Sequence, residues 1–162
     1  MNQKFWQGKN VFITGVNGFI GGNLAKDLLN KGANVFGLVR DQSFQTFLYF
    51  EGLEKEVVII RGELTDKELL CRVMSENNIN VVYHLAAQVE VGVGLVNPYL
   101  TFETNIRGTY SLLEAIRTHG NLIESVIFAS TDKAYGSYSA DQMPYKEDYP
   151  LLPKYHTILL KH

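Results

Sequence analysis

The sequence predicts an α/β protein in which a parallel β-sheet is covered by helices on both faces. Short runs of apolar, mostly β-branched residues alternate with longer segments whose apolar residues recur at helical spacing. The short runs are almost continuously apolar, as expected for strands that are buried on both faces of a sheet. A glycine-rich turn follows the first of these runs, and the 162 residues have the length of one domain.

Strands and helices are predicted in alternating order along the chain. The strands are residues 11–14, 34–39, 57–60, 80–85 and 125–129. The helices are residues 19–31, 43–53, 65–77 and 99–119. Together with the glycine-rich turn after the first strand, this alternation is typical of a doubly wound sheet with the strand order 3-2-1-4-5, and we expect a ligand site at the carboxyl ends of strands one and four.

The pattern changes after Gly136. The following residues include Pro144, Pro150 and Pro153 and show no clear apolar period. We therefore predict that residues 1–136 form the folded domain, and that residues 137–162 form an irregular loop and a C-terminal tail.

Composition excludes several classes of function. The 15 basic and 17 acidic side chains give a formal charge of −2, so no basic excess exists for binding a nucleic-acid backbone. Cys71 is the single cysteine, and no His, Cys and acidic residues have metal-ligand spacing. The apolar runs are far shorter than the ~20 residues that cross a bilayer, and the N-terminus does not resemble a signal peptide. We expect a soluble, cytoplasmic protein that binds neither nucleic acid nor a membrane.

The turn from Thr14 to Gly21 is the strongest local motif, because Gly15, Gly18 and Gly21 lie between a predicted strand and a predicted helix. In such a turn one glycine forms the tight bend, a second lets the backbone approach a pyrophosphate, and a third lets helix and strand pack closely. The N–H groups at the helix N-terminus then face the phosphates. A dinucleotide site is therefore predicted here. Its residues in the turn are Gly15, Asn17, Gly18, Phe19, Ile20 and Gly21.

Three further motifs follow in order: His84 to Gln88, Asn105 to Thr109, and Ser130 to Gly136. Together with the glycine turn they resemble the extended short-chain dehydrogenase/reductase family, which contains nucleotide-sugar epimerases and dehydratases. The resemblance implies a Rossmann-like, doubly wound parallel sheet, of which this chain holds the cofactor half only. It also implies cofactor contacts from the fourth strand's motif and from the long helix. The residues concerned are Leu85, Ala86, Ala87 and Asn105.

The end of the second strand decides between the cofactors NAD and NADP in this fold. An acidic side chain there binds the ribose hydroxyls of NAD, whereas a nearby Arg accepts the 2′-phosphate of NADP. Val39 holds the usual acidic position; Arg40 favours NADP, and Asp41 suits the ribose hydroxyls. The cofactor is therefore expected to be NAD or NADP. Glu63 and Leu64 follow the third strand, where the family usually has an Asp near the adenine.

The reaction class is indicated by Thr131, Asp132 and Lys133, which follow the fifth strand. In the family a tyrosine, a lysine and a Ser or Thr hydroxyl assist hydride abstraction from the sugar C4, and Thr131 matches that hydroxyl. The 4,6-dehydratases place an acid–base pair next, which serves the elimination of the C6 hydroxyl. Asp132 resembles the acid of that pair, and Lys133 stands where many dehydratases have Glu. The Asp-Lys pair looks like CDP-glucose 4,6-dehydratases and inverting UDP-N-acetylglucosamine dehydratases, and the chain looks most like the CDP-glucose enzymes. A 4-epimerase of the same family and a cofactor-binding module without chemistry remain the alternatives.

The tyrosine–lysine pair that the family places just beyond Lys154 is missing. Tyr155 and Lys161 are six residues apart instead of four, which puts them on opposite sides of a helix. One deleted base after the Tyr155 codon would convert codons for Pro-Tyr-Asp-Thr-Ser-Lys-Thr, a Tyr-x-x-x-Lys motif, into those of residues 156–162. The hypothesis is a frameshifted, truncated member of the family that lacks the substrate domain and is inactive as it stands.

The expected partners also follow from the resemblance. A nucleotide sugar is the expected substrate of the full-length protein. Family members commonly dimerise through the long helix, here about Tyr99 to His119. We therefore expect a homodimer or self-association through this helix.

Overall fold

The computed structural model describes residues 3–41, 43–119 and 122–152. The segment with Tyr155 and Lys161, on which the frameshift hypothesis rests, lies outside the described residues. The strands are β1 (Asn10–Thr14), β2 (Asn34–Val39), β3 (Val58–Arg61), β4 (Val81–His84) and β5 (Ser125–Phe128). The helices are α1 (Gln3–Trp6), α2 (Phe19–Asn30), α3 (Phe47–Phe50), α4 (Lys67–Glu76), α5 (Val91–Val96), α6 (Pro98–Phe102) and α7 (Gly108–His119).

The strands form one parallel sheet in the order β3-β2-β1-β4-β5, which confirms the predicted order. The direction in which the chain winds reverses between β1 and β4, and ligands bind at such a switch point in open α/β sheets. Thr14 at the end of β1 is paired with Leu38 and with His84, and His84 is paired with Phe128. The carboxyl ends of four strands therefore meet along one edge.

Each face of the sheet packs against its own hydrophobic cluster, because successive side chains of a strand point to opposite faces. Val11 and Ile13 belong to the cluster that contains Leu28 of α2 and Leu48 of α3. Phe12 belongs to the second cluster. The helical members of that cluster are Leu70, Val73 and Met74 of α4 and Leu112 and Ala115 of α7. The central strand is thus buried on both sides, as its continuous apolar sequence predicts.

The helix predicted for residues 43–53 is shorter in the structure. α3 is followed by a separate 3₁₀ turn, Leu53–Lys55. The backbone of Thr46 is extended, and Gly52 between the two helical pieces has a positive φ of 70°, which glycine adopts without steric cost. α1 and α5 were not predicted, since α5 has the sequence VGVGLV, rich in glycine and valine with weak helix propensity.

The long helix predicted for residues 99–119 is present and contains one widened turn. α6 continues into a π-helical turn, Glu103–Arg107, which leads into α7. Pro98 is at the start of α6, where its missing N–H costs no helical hydrogen bond. Turns of this kind are found frequently at functional sites.

The segment after β5 folds back on itself through tyrosines. The rings of Tyr135 and Tyr145 stack with centroids 5.1 Å apart, and those of Tyr138 and Tyr149 stack at 5.0 Å. The N–H of Leu152 donates to the carbonyl of Ala134 at 3.0 Å. The described part of the predicted loop therefore packs against the turn that follows β5. Within the described residues, none of the helices combines the length and hydrophobicity that a membrane crossing requires.

Candidate functional site

A cleft of about 620 Å³ opens at the carboxyl ends of the strands, beside the glycine turn. This volume lies within the range of about 300–1,000 Å³ that is typical of ligand pockets. All predicted cofactor-binding residues except Asn105 line it. These are Gly15, Asn17, Gly18, Phe19, Ile20, Gly21, Arg40, Asp41, Glu63, Leu64, Leu85, Ala86 and Ala87.

The lack of a side chain at each glycine of the turn has a different structural reason. Gly15 has a φ of +76°, and a Cβ there would lie 2.9 Å from the backbone nitrogen of Ala86. A Cβ at Gly21 would overlap the carbonyl of Gly15. A Cβ at Gly18 would meet only the Gly15 oxygen, at 3.2 Å. Gly15 and Gly21 therefore close the turn, and Gly18 keeps its exposed side open toward the cleft.

The N-terminus of α2 gives this end of the cleft a positive potential. Gly18 is the N-cap residue, and the first turn of α2 contains no acidic side chain. Residues 15–25 carry no charged side chain at all. The unpaired N–H groups and the dipole of this 12-residue helix are therefore not neutralised locally, which suits a phosphate group.

Arg40 and Asp41 form the outer part of the cleft beyond β2. The Arg40 Nε donates to the Asp41 carboxylate at 2.6 Å, and both side chains are exposed. Val39 holds the position that is usually acidic. Its side chain is buried in the core and therefore does not face the cleft. A ligand in the cleft thus meets a guanidinium and a carboxylate together.

Glu63 and Leu64 lie in the cleft wall after β3. Glu63 is exposed, whereas Leu64 is buried against α7. A Cβ at Gly108 would come 2.5 Å from the Leu64 Cδ2, so the absence of a side chain at Gly108 allows α7 to approach this wall.

Asn105 lies behind the cleft wall. Its Oδ1 accepts a hydrogen bond from the N–H of Gln88 at 2.8 Å, and its Nδ2 donates to the Gln88 carbonyl at 3.0 Å. The side chain is buried in the π-helical turn, and its neighbour Thr104 reaches the cleft instead. A direct cofactor contact from Asn105 therefore remains a prediction.

Thr131, Asp132 and Lys133 form a turn just beyond β5. Thr131 caps the 3₁₀ turn Asp132–Tyr135, accepting from the N–H of Lys133 at 3.3 Å and donating to the Asp132 carboxylate at 3.4 Å. These three residues do not line the cleft, which reaches this side of the sheet at Ala129. Asp132 and Lys133 are exposed, and neither forms a salt bridge with another residue of the described ranges.

Sequence reasoning missed several cleft residues. These are Leu38, Ser43, Gly62, Val89, Thr104 and Ala129. Two of them adjoin predicted residues, Gly62 beside Glu63 and Thr104 beside Asn105. The strand-end rule for open α/β sheets would have identified Leu38 and Ala129. No group of three or more His, Cys, Asp and Glu side chains in the described ranges could hold a metal ion.

Comparisons with known proteins give the family of the chain. The family described as GDP-mannose 4,6 dehydratase matches residues 12–155. A GDP-mannose 4,6-dehydratase of Sordaria araneosa is 37% identical over 90% of this chain. A CDP-glucose 4,6-dehydratase of Salmonella typhimurium is 34% identical over 83% of it. The chain spans 26% and 38% of these two relatives, respectively.

A solved structure shares the fold. The UDP-glucose 4-epimerase of Bifidobacterium longum, in complex with NAD+ and UDP, is 27% identical with a TM-score of 0.81. The match covers 94% of this chain and 46% of that structure. Because the family match extends over most of the sequence and the fold and cleft agree with it, this chain belongs to the GDP-mannose 4,6 dehydratase family.

Proposed function

We propose that this chain is the NAD(P)-binding part of a nucleotide-sugar 4,6-dehydratase. The observation that carries the proposal is the cleft between the glycine turn and the segment after β4, with Thr131, Asp132 and Lys133 close to its β5 end. The two dehydratase relatives support it. We place the protein in the cytoplasm, since a nearly neutral chain with one cysteine fits a reducing compartment.

The residues of the cleft fit a dinucleotide. The N-terminus of α2 would hold the pyrophosphate, because Gly18 leaves room and the helix supplies N–H donors. Arg40 and Asp41 would face the adenosine ribose, where Asp41 accepts from hydroxyls and Arg40 pairs with a 2′-phosphate. The bound nicotinamide would supply the hydride acceptor. The structure with NAD+ and UDP is an epimerase of the same fold, which supports this assignment.

The turn after β5 would provide the acid–base groups. The Thr131 hydroxyl would hydrogen-bond the sugar oxygen from which a proton is removed. Asp132 would protonate the C6 hydroxyl as it leaves, and Lys133 would assist proton removal at C5. Because both side chains are exposed and without an ion pair in the described ranges, they are available to a substrate.

Titration calorimetry of the purified chain with NAD+ and with NADP+ tests the cofactor assignment. We expect at least one of them to bind with one site per chain, because the cleft is formed within the described residues. If NADP+ binds more tightly, Arg40→Ala should remove the preference while Lys133→Ala should leave it unchanged. A folded chain that binds neither nucleotide would contradict the proposal.

An apolar stripe on the long helix supports self-association, which we propose as a second property. The stripe consists of exposed side chains on α6, the π-helical turn and α7. They are Tyr99, Phe102, Ile106, Tyr110 and Leu113. Ion pairs lie next to it, including Arg107 with Glu103 at 2.8 Å. The hydrogen bond to Glu103 raises the pKa of Arg107 above its usual value. An apolar stripe edged by charges is typical of an interface between copies.

The stripe predicts concentration-dependent dimerisation in sedimentation experiments. Tyr110→Lys should weaken it by about tenfold or more, because a charge would be buried at the centre of the stripe. Phe50→Lys is the control, since Phe50 is also an exposed aromatic residue but lies on α3, whose Leu48 packs against the opposite face of the sheet. A parent chain that stays monomeric at high concentration would contradict this prediction.

A further inference from the structure

His84 is buried at the end of β4 and connects two hydroxyl groups on different elements. Its Nδ1 lies 2.7 Å from the Thr14 Oγ1 at the end of β1. Its Nε2 lies 3.0 Å from the Thr109 Oγ1 on α7. The ring also packs edge-on against Phe128 of β5, with centroids 5.2 Å apart. One side chain thus joins β1, β4, β5 and the long helix at the cleft end of the sheet.

The neighbouring hydrogen bonds determine which ring nitrogen carries the proton. The Thr109 hydroxyl donates to the Asn105 carbonyl at 2.6 Å, so toward His84 it acts as an acceptor. Nε2 is therefore the donor. In a neutral ring Nδ1 is then the acceptor, so the Thr14 hydroxyl, which accepts from the N–H of Ala86 at 3.2 Å, donates to Nδ1. With a neutral ring protonated on Nε2, the Nε2–H donates to Thr109, the Thr109 hydroxyl donates to the Asn105 carbonyl, and the Thr14 hydroxyl donates to Nδ1. Each of these three donors therefore has one acceptor.

This relay holds both ends of one cleft wall. At one end, Thr14 binds the backbone N–H of Ala86. At the other end, Thr109 fixes the backbone of Asn105, whose side chain clamps both the N–H and the carbonyl of Gln88. The segment that contains these two points forms the wall beside the glycine turn. A buried and fully paired polar network of this kind specifies one geometry.

We propose that His84 and Thr109 are positioning residues, whose hydrogen-bond relay sets the wall formed by residues 85–89 in the geometry that binds the dinucleotide. The inference rests on the proposed function and extends it, since neither side chain lines the cleft. Their effect reaches the ligand through the backbones of Ala86 and Gln88.

The test compares three variants on α7 in the full 162-residue chain. Thr109→Val removes the hydroxyl, and Thr109→Ser keeps it. Thr118→Val is the matched control, because it removes a hydroxyl that donates to the backbone carbonyl of Glu114, four residues earlier in the same helix. We expect Thr109→Val to raise the dissociation constant of the tighter-binding nucleotide by about tenfold. Thr109→Ser and Thr118→Val should stay within about twofold of the parent. Urea unfolding of each variant separates this effect from lost stability.

Nitrogen NMR of the parent chain provides a readout independent of the cofactor. In the neutral form of the ring, we expect His84 to carry its proton on Nε2. We also expect the Gln88 amide resonance to shift in Thr109→Val and to keep its position in Thr109→Ser. A proton on Nδ1, or a folded Thr109→Val chain with parental nucleotide affinity, would overturn the inference. Failure of the parent to bind either nucleotide would overturn the proposed function, while the His84 tautomer would still decide whether the relay exists.

Discussion

With one base inserted after the Tyr155 codon and the downstream sequence joined, we expect an enzyme that releases a 4-keto-6-deoxy sugar nucleotide, and we expect no turnover from the 162-residue chain itself. The 162-residue chain contains no Tyr-x-x-x-Lys motif, and general acid–base catalysis alone contributes about 10²–10⁴-fold to the rate. Positioning of the sugar by further sequence would add more. The measurement is mass spectrometry of the product, which detects the loss of water. Activity of the unrepaired chain, or a repaired chain that only inverts C4, would contradict the dehydratase assignment and favour the epimerase.

Within the repaired enzyme, Asp132 and Thr131 should affect different steps. Asp132→Asn should block loss of the C6 hydroxyl while cofactor reduction, followed by absorbance, continues. Thr131→Val should slow cofactor reduction itself, because it removes the hydroxyl beside the sugar oxygen. Asp148→Asn is the matched control, since Asp148 is also exposed and lies in the loop after β5. Deoxygenation at the parental rate in Asp132→Asn would show that another group protonates the leaving hydroxyl.

Gly18→Val is expected to reduce nucleotide affinity by about a hundredfold or more and to leave the fold intact. Gly18 has a φ of −78° and is exposed, and a Cβ there meets only the Gly15 oxygen, at 3.2 Å. This contact is tight, so a valine would require a small shift of the turn, and it would occupy the space in front of the α2 N-terminus. Calorimetry gives the affinity, and circular dichroism with urea unfolding shows that the fold persists.

Gly92→Val serves as the control for Gly18→Val. Gly92 is an exposed glycine of α5, and a Cβ there has no atom within 4 Å. The same substitution should leave the nucleotide affinity at the parental value. If Gly18→Val binds as tightly as Gly92→Val, the phosphate does not lie at the N-terminus of α2.

The fold was predictable because its signals are local. Each strand is a short apolar run, and the glycine turn fixes where β1 ends and α2 begins. The widened turn at Glu103–Arg107 was not predictable, since helical periodicity does not distinguish a π turn within a continuous helix. α5 was missed for a related reason: its six residues have no amphipathic period and low helix propensity.

The lining of the cleft was predictable where backbone geometry creates it, and less so where a side chain contacts residues far away in the sequence. The sequence spacing of the three glycines in the turn, Gly15, Gly18 and Gly21, directly indicates their role. Asn105 has a role that depends on Gln88, 17 residues earlier in the sequence, and only the folded structure brings the two together. The position of His84 at the end of an apolar strand predicts only a packed side chain. The packing is observed, but the pairing with Thr14 and Thr109 requires the tertiary arrangement of three elements.

The central place of β1 in the sheet also bears on the order in which the protein acquires its structure. Asn10 of β1 pairs with Asn34 of β2, 24 residues away, whereas Thr14 contacts His84 across 70 residues. Since contacts of greater sequence separation require a larger loop to close, β1, α2 and β2 are expected to assemble before β4 docks. The part of the cleft that is formed by β1, α2 and β2 is therefore expected to form early, and the wall at residues 85–89 is expected to form last. A nucleotide present during refolding meets a complete binding surface only at the final step, so it stabilises the native state without guiding the chain toward it.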